Sequence, residues 1–242
     1  MKLRCVSWNV LADAYISYGT YGKHVSPDLL KPGVRVPYII NTIRDLHADI
    51  IGLQEVDRNL MNALKRTREW QEFWSPKEQE KPDGCLTLVR KGINVTGFDT
   101  YAYGTSGGHV FQIVFIGGVA FVNTHIQYDK PRSPNHIGVV QTEKLLRTVK
   151  DMKRVVIFAD CNDRPGRKAP VRALFGQAGF TNTFGNGDTA LIDGTPAAID
   201  LLAVRGLEAK SVKTTFSVRN IPSGDCASDH IPVEADVVMP KI

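Results

Sequence analysis

The sequence predicts an α/β protein in which two mixed β-sheets pack face to face and helices cover their outer faces. Apolar runs typical of strands alternate with segments of helical period along the 242 residues, which is the pattern of a layered α/β fold. The dipeptide Gly117-Gly118 separates two strand-like runs and therefore signals a hairpin. Hairpins between the helices argue against a sheet built only from parallel strands.

Strands and helices are both predicted in the first half of the chain. Pro37 suits the first turn of a helix, and the apolar residues that follow it lie on one helical face. Residues 60–70 also have a helical pattern, whereas residues 75–83 are polar, contain two prolines and are predicted to form a loop. The predicted strands of this half are residues 3–11, 49–56, 84–90 and 95–103.

The second half begins with the two strands of the predicted hairpin, residues 110–117 and 119–127. A helix is predicted over residues 136–152 and a fully apolar strand over residues 155–159. A short helix is predicted to begin at Pro170 and to reach residue 178. No linker rich in proline, serine or glycine divides the chain, so we expect one catalytic domain over residues 1–242. The last predicted strands are residues 198–204, 211–218 and 232–238.

Composition and cysteine usage restrict the class of protein. Hydrophobic residues make up 43% of the chain, which is ample for a core, and no run of 18 apolar residues suggests a membrane span. The first residues lack the apolar segment of a signal peptide. We therefore expect a cytoplasmic protein, monomeric and with no membrane partner. The four cysteines form no Cys-x-x-Cys pair, so buried thiols are expected rather than a zinc site.

Positive charge is concentrated in residues 130–168. This window has ten Lys/Arg and four Asp/Glu, a net charge of +6, against +5 for the whole chain. A polyanion such as RNA would be attracted to it. Basic residues on the outer face of the predicted helix need no explanation beyond solvation. Three arginines in the loops after the polar motifs are better candidates for contacts with substrate phosphates: Arg132, Arg164 and Arg167.

Polar residues end several predicted strands and supply candidate catalytic groups. Glu55 ends an otherwise apolar strand, where a carboxylate is costly unless a cation pairs with it. Mg²⁺ prefers oxygen ligands and retains several waters, so one or two carboxylates suffice to bind it. Glu55 is therefore a candidate metal ligand, although an exposed glutamate or one paired with an arginine would also produce this pattern.

The pair Asp160 and Asn162 is a second candidate group. The two residues lie two positions apart, so strand alternation places both side chains on one face. Asp160 could orient an attacking water or accept its proton, and Asn162 could hold that water or the phosphate. The alternative is a turn that these side chains stabilise ahead of residues 163–166, and it suits Asp163 better than Asp160.

Six short polar motifs follow one another along the chain: Asn9-Val10-Leu11, residues 49–56, Asn123-Thr124-His125, Asp160-Cys161-Asn162, Ile199-Asp200 and Ser228-Asp229-His230. In this order they resemble the endonuclease/exonuclease/phosphatase superfamily of Mg-dependent phosphoesterases, over nearly the whole chain. Residues 9–13 and 81–85 look most like the branch that contains poly(A) deadenylases, nocturnin and Angel-type RNA phosphatases.

The resemblance implies a fold, a cofactor and a set of roles. The implied fold is a four-layer α/β sandwich, and the implied cofactor is Mg²⁺, which Mn²⁺ can replace. Glu55 and Asp229 would lie at the metal, and Asn9 would position the ligands around Glu55. His125 would bind phosphate and support the leaving group.

The resemblance also gives His230 a role at the scissile phosphate, with Asp200 fixing its tautomer. Three residues depart from the family pattern. Ala159 and Cys161 stand where glycine and phenylalanine are usual, and Leu201 replaces the aromatic residue that usually follows the aspartate at position 200. These departures affect flanking positions and bear on packing more than on chemistry.

The leading functional interpretation is a Mg-dependent phosphoesterase that acts on RNA 3′ ends by metal-assisted water attack. Deadenylation, 3′ trimming and removal of a terminal phosphate all fit. Leu11 stands where DNA-repair relatives carry a carboxylate, which argues against an abasic-site endonuclease. Two alternatives are hydrolysis of a small nucleotide or lipid phosphoester and a catalytically silent RNA-binding module. Three aromatic residues could stack a base or simply pack: Tyr101, Phe111 and Tyr128.

Overall fold

Two mixed β-sheets form the centre of the molecule. The computed structural model describes residues 1–16, 21, 25–130, 133, 135–164 and 169–240, and in these residues each of the two large sheets has six strands. The strands are β1 (Lys2–Asn9), β2 (Ile50–Asp57), β3 (Trp70–Pro76), β4 (Asp83–Arg90), β5 (Gly97–Ala102), β6 (Val110–Ile116), β7 (Val119–His125), β8 (Val155–Asp160), β9 (Thr181–Asn182), β10 (Ala190–Ile192), β11 (Thr195–Ala197), β12 (Asp200–Arg205), β13 (Ala209–Ser211) and β14 (Val233–Val238).

The two sheets share a similar plan. The first has the strand order β13-β14-β1-β2-β4-β3, and the second has the order β5-β6-β7-β8-β12-β9. Each contains one parallel pair near its centre, β1 with β2 and β7 with β8, while the other neighbours run antiparallel. Strands β10 and β11 form a separate small hairpin. The predicted hairpin at residues 117–118 joins β6 to β7 as expected.

Helices cover the outer faces of both sheets. Asp57 caps α2 (Arg58–Thr67) by accepting a hydrogen bond from Leu60 N at 2.8 Å, and Arg68 ends the same helix in a left-handed conformation. Pro37 and Pro170 both lie in the first turns of their helices, as the sequence predicts. The helices are α1 (Val36–Asp45), α2 (Arg58–Thr67), α3 (Ile137–Thr148) and α4 (Pro170–Gln177).

Three apolar cores separate the layers. The core between the sheets includes Phe121 and Phe158, which are fully buried. A second core lies where α1 and α2 pack on the first sheet, and a third lies where α3 and α4 pack on the second. The sheets approach closely at Gly52, where an added Cβ would lie 2.5 Å from the Cβ of Phe158. The predicted four-layer α/β sandwich is therefore confirmed.

Three local predictions are wrong. The helix predicted over residues 60–70 ends at Thr67, and Trp70 already begins β3, which pairs with β4 along its length. The loop predicted over residues 75–83 therefore begins later than expected, after Pro76, since tertiary pairing overrides the local polarity. The strand predicted over residues 211–218 is β13, which ends at Ser211. The hairpin of β10 and β11 was not predicted, because its strands are only three residues long.

The cysteines follow the prediction from their spacing. All four are free thiols and buried, as expected of small core residues. Cys161 packs in the third core, away from the polar side chains that flank it in sequence. Within the described part of the chain, no helix has the length and apolar character needed to cross a membrane.

Candidate active site

The predicted site residues meet at one end of both sheets. Asn9 and Glu55 lie near the ends of the parallel strands β1 and β2, and His125 and Asp160 end the parallel strands β7 and β8. Asp200 begins β12 directly opposite Asp160 in the antiparallel register. Because the carboxyl ends of parallel strands lie at the same end of a sheet, each sheet presents its polar residues at this end.

Asn9 joins the carboxylates of the two sheets. Its Nδ2 donates to Glu55 Oε1 at 3.0 Å and to Asp160 Oδ2 at 2.9 Å, and its Oδ1 accepts a hydrogen bond from Leu11 N at 2.9 Å. Ala12 N donates to the second oxygen of Glu55 at 3.1 Å. Both hydrogens of the Asn9 amide are therefore committed, and the two carboxylates are held in one place without a direct contact between them.

Two site residues have left-handed backbones. Glu55 has φ 55° and lies in a β-bulge of β2 between Leu53 and Val56, and Asn162 has φ 48° just after β8. Asparagine tolerates this conformation, whereas a glutamate adopts it at some cost in free energy. The bulge redirects the Glu55 side chain out of the strand alternation, and this explains how a residue in an apolar strand reaches the site.

His125 and Asn162 form a second polar contact. Asn162 Nδ2 lies 3.0 Å from His125 Nε2 and donates to Ile126 O at 3.0 Å, while Asn162 N donates to Asp160 Oδ1 at 2.9 Å. Since the amide of Asn162 donates, His125 Nε2 accepts, and the proton of the ring lies on Nδ1. This Nδ1 is buried without a hydrogen-bond partner and lies 3.9 Å from Glu55 Oε1. Burial, helped by nearby positive charge, holds the pKa of His125 well below its usual value.

His230 is held by Asp200. Its Nδ1 lies 2.9 Å from Asp200 Oδ2, so the proton on Nδ1 is shared with the carboxylate and Nε2 faces the site. Nε2 lies 3.9 Å from Asp160 Oδ2 and 3.9 Å from Asp229 Oδ1. Burial alone would lower the pKa of His230, but the three carboxylates raise it well above the usual value. Trp8 Nε1 fixes the backbone by donating to His230 O at 2.8 Å.

The donor atoms of the site suit a divalent cation. One oxygen or nitrogen from each of Glu55, His125 and Asp160 lies within 4.8 Å of the others. Burial raises the pKa of Glu55, Asp160 and Asp229, although the positive charge of His230 lowers the pKa of each again. Asp229 Oδ1 and Asp200 Oδ1 are also buried without a hydrogen-bond partner. A cation bound by oxygen atoms would relieve both conditions.

The predicted phosphate contacts are less well defined. Arg164 has an exposed side chain just after the Asp160 and Asn162 pair, while Arg132 and Arg167 fall outside the described residues. Among the predicted stacking residues, Phe111 is fully buried with its ring stacked on Tyr101 at 4.8 Å, so this pair packs the hairpin of β5 and β6.

Arg35 was missed by the sequence analysis. Its side chain is 2% exposed, and its guanidinium donates to Leu11 O, to Val10 O at 2.9 Å and to Ala227 O at 2.8 Å. It also pairs with Asp13 at 2.7 Å. Arg35 thus ties the segment after Asn9 to the segment before Asp229. A lone arginine in a Gly/Pro-rich loop gives no periodic signal that could have revealed this role.

His109 was also missed. Its Nδ1 lies 2.7 Å from His125 O, and the two rings meet edge to face with centres 5.0 Å apart. A carbonyl can only accept, so His109 carries its proton on Nδ1. Burial, with the charge of Lys77, lowers the pKa of His109 to about 4, so the ring is neutral. It supports the backbone of His125 from the position just before β6.

Comparison with known proteins agrees with this geometry. The model of the Endonuclease/Exonuclease/phosphatase family matches residues 6–230. The chain belongs to the endonuclease/exonuclease/phosphatase family. It is accordingly a metal-dependent phosphoric ester hydrolase, a nuclease or a phosphatase, as the polar motifs predict. No curated protein matches the chain.

Several solved structures share the fold of this family member. ANGEL2, a 2′,3′-cyclic phosphatase solved with adenosine-2′,3′-vanadate, has a TM-score of 0.81 at 16% identity, over 98% of this chain and 95% of that one. The human nocturnin catalytic domain with bound sulfate has a TM-score of 0.72 at 17% identity, over 99% of this chain and 94% of that one. A truncated Caenorhabditis elegans TDP2 has a TM-score of 0.67 at 19% identity, over 98% of each chain. At these identities the likeness concerns the fold.

Proposed function

We propose that this protein is a Mg-dependent phosphoesterase that acts on RNA 3′ ends. The observation that carries the proposal is the Asn9 bridge, which holds Glu55 and Asp160 together opposite His125 and His230. Such a set of carboxylates and imidazoles matches the needs of phosphoester hydrolysis. The RNA-end assignment is supported by the fold shared with ANGEL2, which is a 2′,3′-cyclic phosphatase.

Glu55 and Asp229 would hold Mg²⁺, which Mn²⁺ can replace. Asp160 offers a further oxygen, because it lies in one cluster with Glu55 and His125. The ion supplies charge neutralisation at the nonbridging oxygens of the substrate. Asn9 keeps Glu55 oriented and separates its charge from that of Asp160. Arg35 acts indirectly, since it anchors the segments that carry Asn9 and Asp229.

The other residues handle protons and water. Asp160 Oδ2 faces both imidazoles, 3.7 Å from His125 Nε2 and 3.9 Å from His230 Nε2, so a water between these groups would be oriented by Asp160. Asn162 would hold that water or a phosphate oxygen. His230, kept protonated by Asp200, would donate to the scissile phosphate. His125 would support the leaving oxygen.

A panel of RNA ends tests the proposal. One 5′-labelled RNA would be prepared with a 3′-terminal adenosine tract, a 3′-phosphate or a 2′,3′-cyclic phosphate, and incubated with Mg²⁺. We expect turnover of at least one end, and the product identifies the reaction: shortened chains mean trimming, and unshortened chains with a changed end mean phosphate chemistry. Binding of all three RNAs without turnover would indicate a silent RNA-binding module. Turnover of small phosphoesters alone would contradict the RNA assignment.

A further inference from the structure

Arg172 joins the two segments that carry Asn162 and Asp200, although it takes no part in the chemistry itself. It lies in the first turn of α4, and its Nε donates to Asp163 O at 2.9 Å. Its Nη2 donates to Ala198 O and to Asp200 O, both at 2.9 Å. One guanidinium group therefore binds the backbone next to Asn162 and the backbone of Asp200.

The side chain of Asp163 returns this contact. Its Oδ2 accepts a hydrogen bond from Arg172 N at 2.9 Å, and the residue is buried. Arg172 N is one of the first amides of α4, which have no acceptor within their own helix. Asp163 thus binds Arg172 through its carboxylate and through its carbonyl. We call Arg172 and Asp163 the arginine clamp.

The arginine clamp covers an open edge of the second sheet. Ile199 O accepts a hydrogen bond from Cys161 N at 2.9 Å on the side of β8. Because carbonyls alternate along an extended chain, those of Ala198 and Asp200 face the other side. On that side, within the described residues, β9 pairs with β12 only near its far end. Arg172 therefore supplies the donors that a neighbouring strand would supply in a wider sheet.

Both joined segments place polar groups at the candidate active site. Asn162 has a left-handed backbone, φ 48°, and its Nδ2 lies 3.0 Å from His125 Nε2. An unusual backbone conformation persists where its surroundings hold it, and Asp163 is the next residue. Asp200 Oδ2 lies 2.9 Å from His230 Nδ1. A shift of either segment would therefore move an amide or an imidazole within the site.

We propose that Arg172 and Asp163 are positioning residues that hold Asn162 and Asp200 at the spacing the reaction requires. This inference rests on the roles that the proposed function gives to Asn162 and Asp200. A clamp that only stabilised the fold would change the amount of folded enzyme. A positioning clamp changes the turnover of each folded molecule.

Turnover per folded molecule tests the inference. Arg172→Ala should lower kcat by about 10- to 100-fold with little change in KM, because small displacements of reacting groups reduce the rate by this much. Guanidinium ions, at a concentration that leaves the wild type unchanged, should restore part of kcat, whereas ammonium ions should not. The described residues leave a groove of about 350 Å³ beside Arg172, through which a guanidinium ion can enter.

The matched control is Arg205→Ala, at the opposite end of β12. Arg205 also donates to three carbonyls, those of Val149, Met152 and Ala178, but at the end of the strand away from the site. This variant should lose stability while each folded molecule keeps the wild-type kcat. Thermal unfolding of both variants gives the folded fractions.

Asp163 offers a second comparison, which serves also if Arg172→Ala does not fold. Asp163→Asn keeps an oxygen that can accept from Arg172 N and should retain most of kcat. Asp163→Ala removes the acceptor and should lower kcat with little change in KM. Equal kcat values for folded Asp163→Asn and Asp163→Ala would show that this contact does not position the site.

Two results with Arg172→Ala would overturn the positioning role. One is a kcat per folded molecule equal to that of Arg205→Ala, and the other is a loss that guanidinium restores no better than ammonium does. The assays use an RNA end that the wild type turns over, or bis(p-nitrophenyl) phosphate if it turns over none. Failure of the RNA assignment is thereby kept distinct from failure of the arginine clamp.

Discussion

Single side chains fix the geometry of this site before any ligand binds. Asn9 uses every hydrogen-bonding group of its amide, two donors on carboxylates of different sheets and one acceptor on Leu11 N. His125 and His230 differ in their surroundings although both are buried. His125 faces an amide and has a lowered pKa, whereas His230 faces carboxylates and has a raised pKa. The two imidazoles are therefore suited to different protonation states.

Asp160→Asn should lower kcat far more than it raises KM. The variant keeps the shape of the side chain but removes the charge that orients water between the imidazoles, and losing such a group reduces the rate by about 10²–10⁴. Steady-state kinetics on the best RNA substrate measures the effect. Asp151→Asn is the control, because that side chain is 90% exposed and remote from the site in the fold. A wild-type kcat for Asp160→Asn would show that its assigned role is wrong.

His230→Ala should likewise lower kcat with little change in KM. The proposed role of His230 is to donate to the scissile phosphate during the reaction rather than to bind the substrate. Asp200→Asn keeps the imidazole but removes the carboxylate 2.9 Å from Nδ1. We expect a large loss of kcat in this variant also, because the ring can then turn to the other tautomer. Full activity of Asp200→Asn alongside an inactive His230→Ala would limit the role of Asp200 to packing.

At the scale of elements, strand ends and close sheet packing create the site. Gly52→Ala should destabilise the fold by about 1–3 kcal/mol, because its Cβ would overlap the Phe158 side chain between the sheets. Thermal or urea unfolding measures the change. Gly176→Ala in α4 is the matched control: its Cβ would meet nothing within 4 Å, and alanine favours a helix interior by about 0.5–1 kcal/mol. Equal stabilities of the two variants would contradict the close approach of the sheets.

The sequence predicted which polar strand ends meet at the candidate site, but not every residue that supports it. Glu55 and Asp160 stand out because a carboxylate at the end of an apolar strand is unusual. Arg35 anchors the segments that carry Asn9 and Asp229 from a loop, and β3 forms an edge strand of the first sheet; no periodicity marks either of them. The edge strand itself was missed, because its pairing with β4 follows from tertiary packing rather than local pattern.

At the scale of the whole molecule, charge distinguishes a polymer from a small substrate. Neutralising the loop arginines, at 132, 164 and 167, should weaken RNA binding across sequences. It should also flatten the dependence of log KM on log salt by about 0.7 for each phosphate of a single strand that the protein no longer neutralises. The control removes the same charge from helix α3 and the turn after it, at Arg147, Lys150 and Lys153. Indistinguishable salt slopes for the two triple variants would favour a small phosphoester as substrate.

Dependence of turnover on a divalent cation tests the central claim most directly. The rate on the preferred RNA end would be measured against Mg²⁺ concentration, and in excess chelator, for the wild type and for Glu55→Gln. Glutamine keeps the size of the side chain and an oxygen acceptor at this position but removes the ligand charge. We predict that wild-type turnover saturates with Mg²⁺ and falls to background in chelator, and that folded Glu55→Gln stays near background throughout. Full turnover in chelator, or a wild-type rate for Glu55→Gln, would contradict a metal-dependent phosphoesterase built around Glu55.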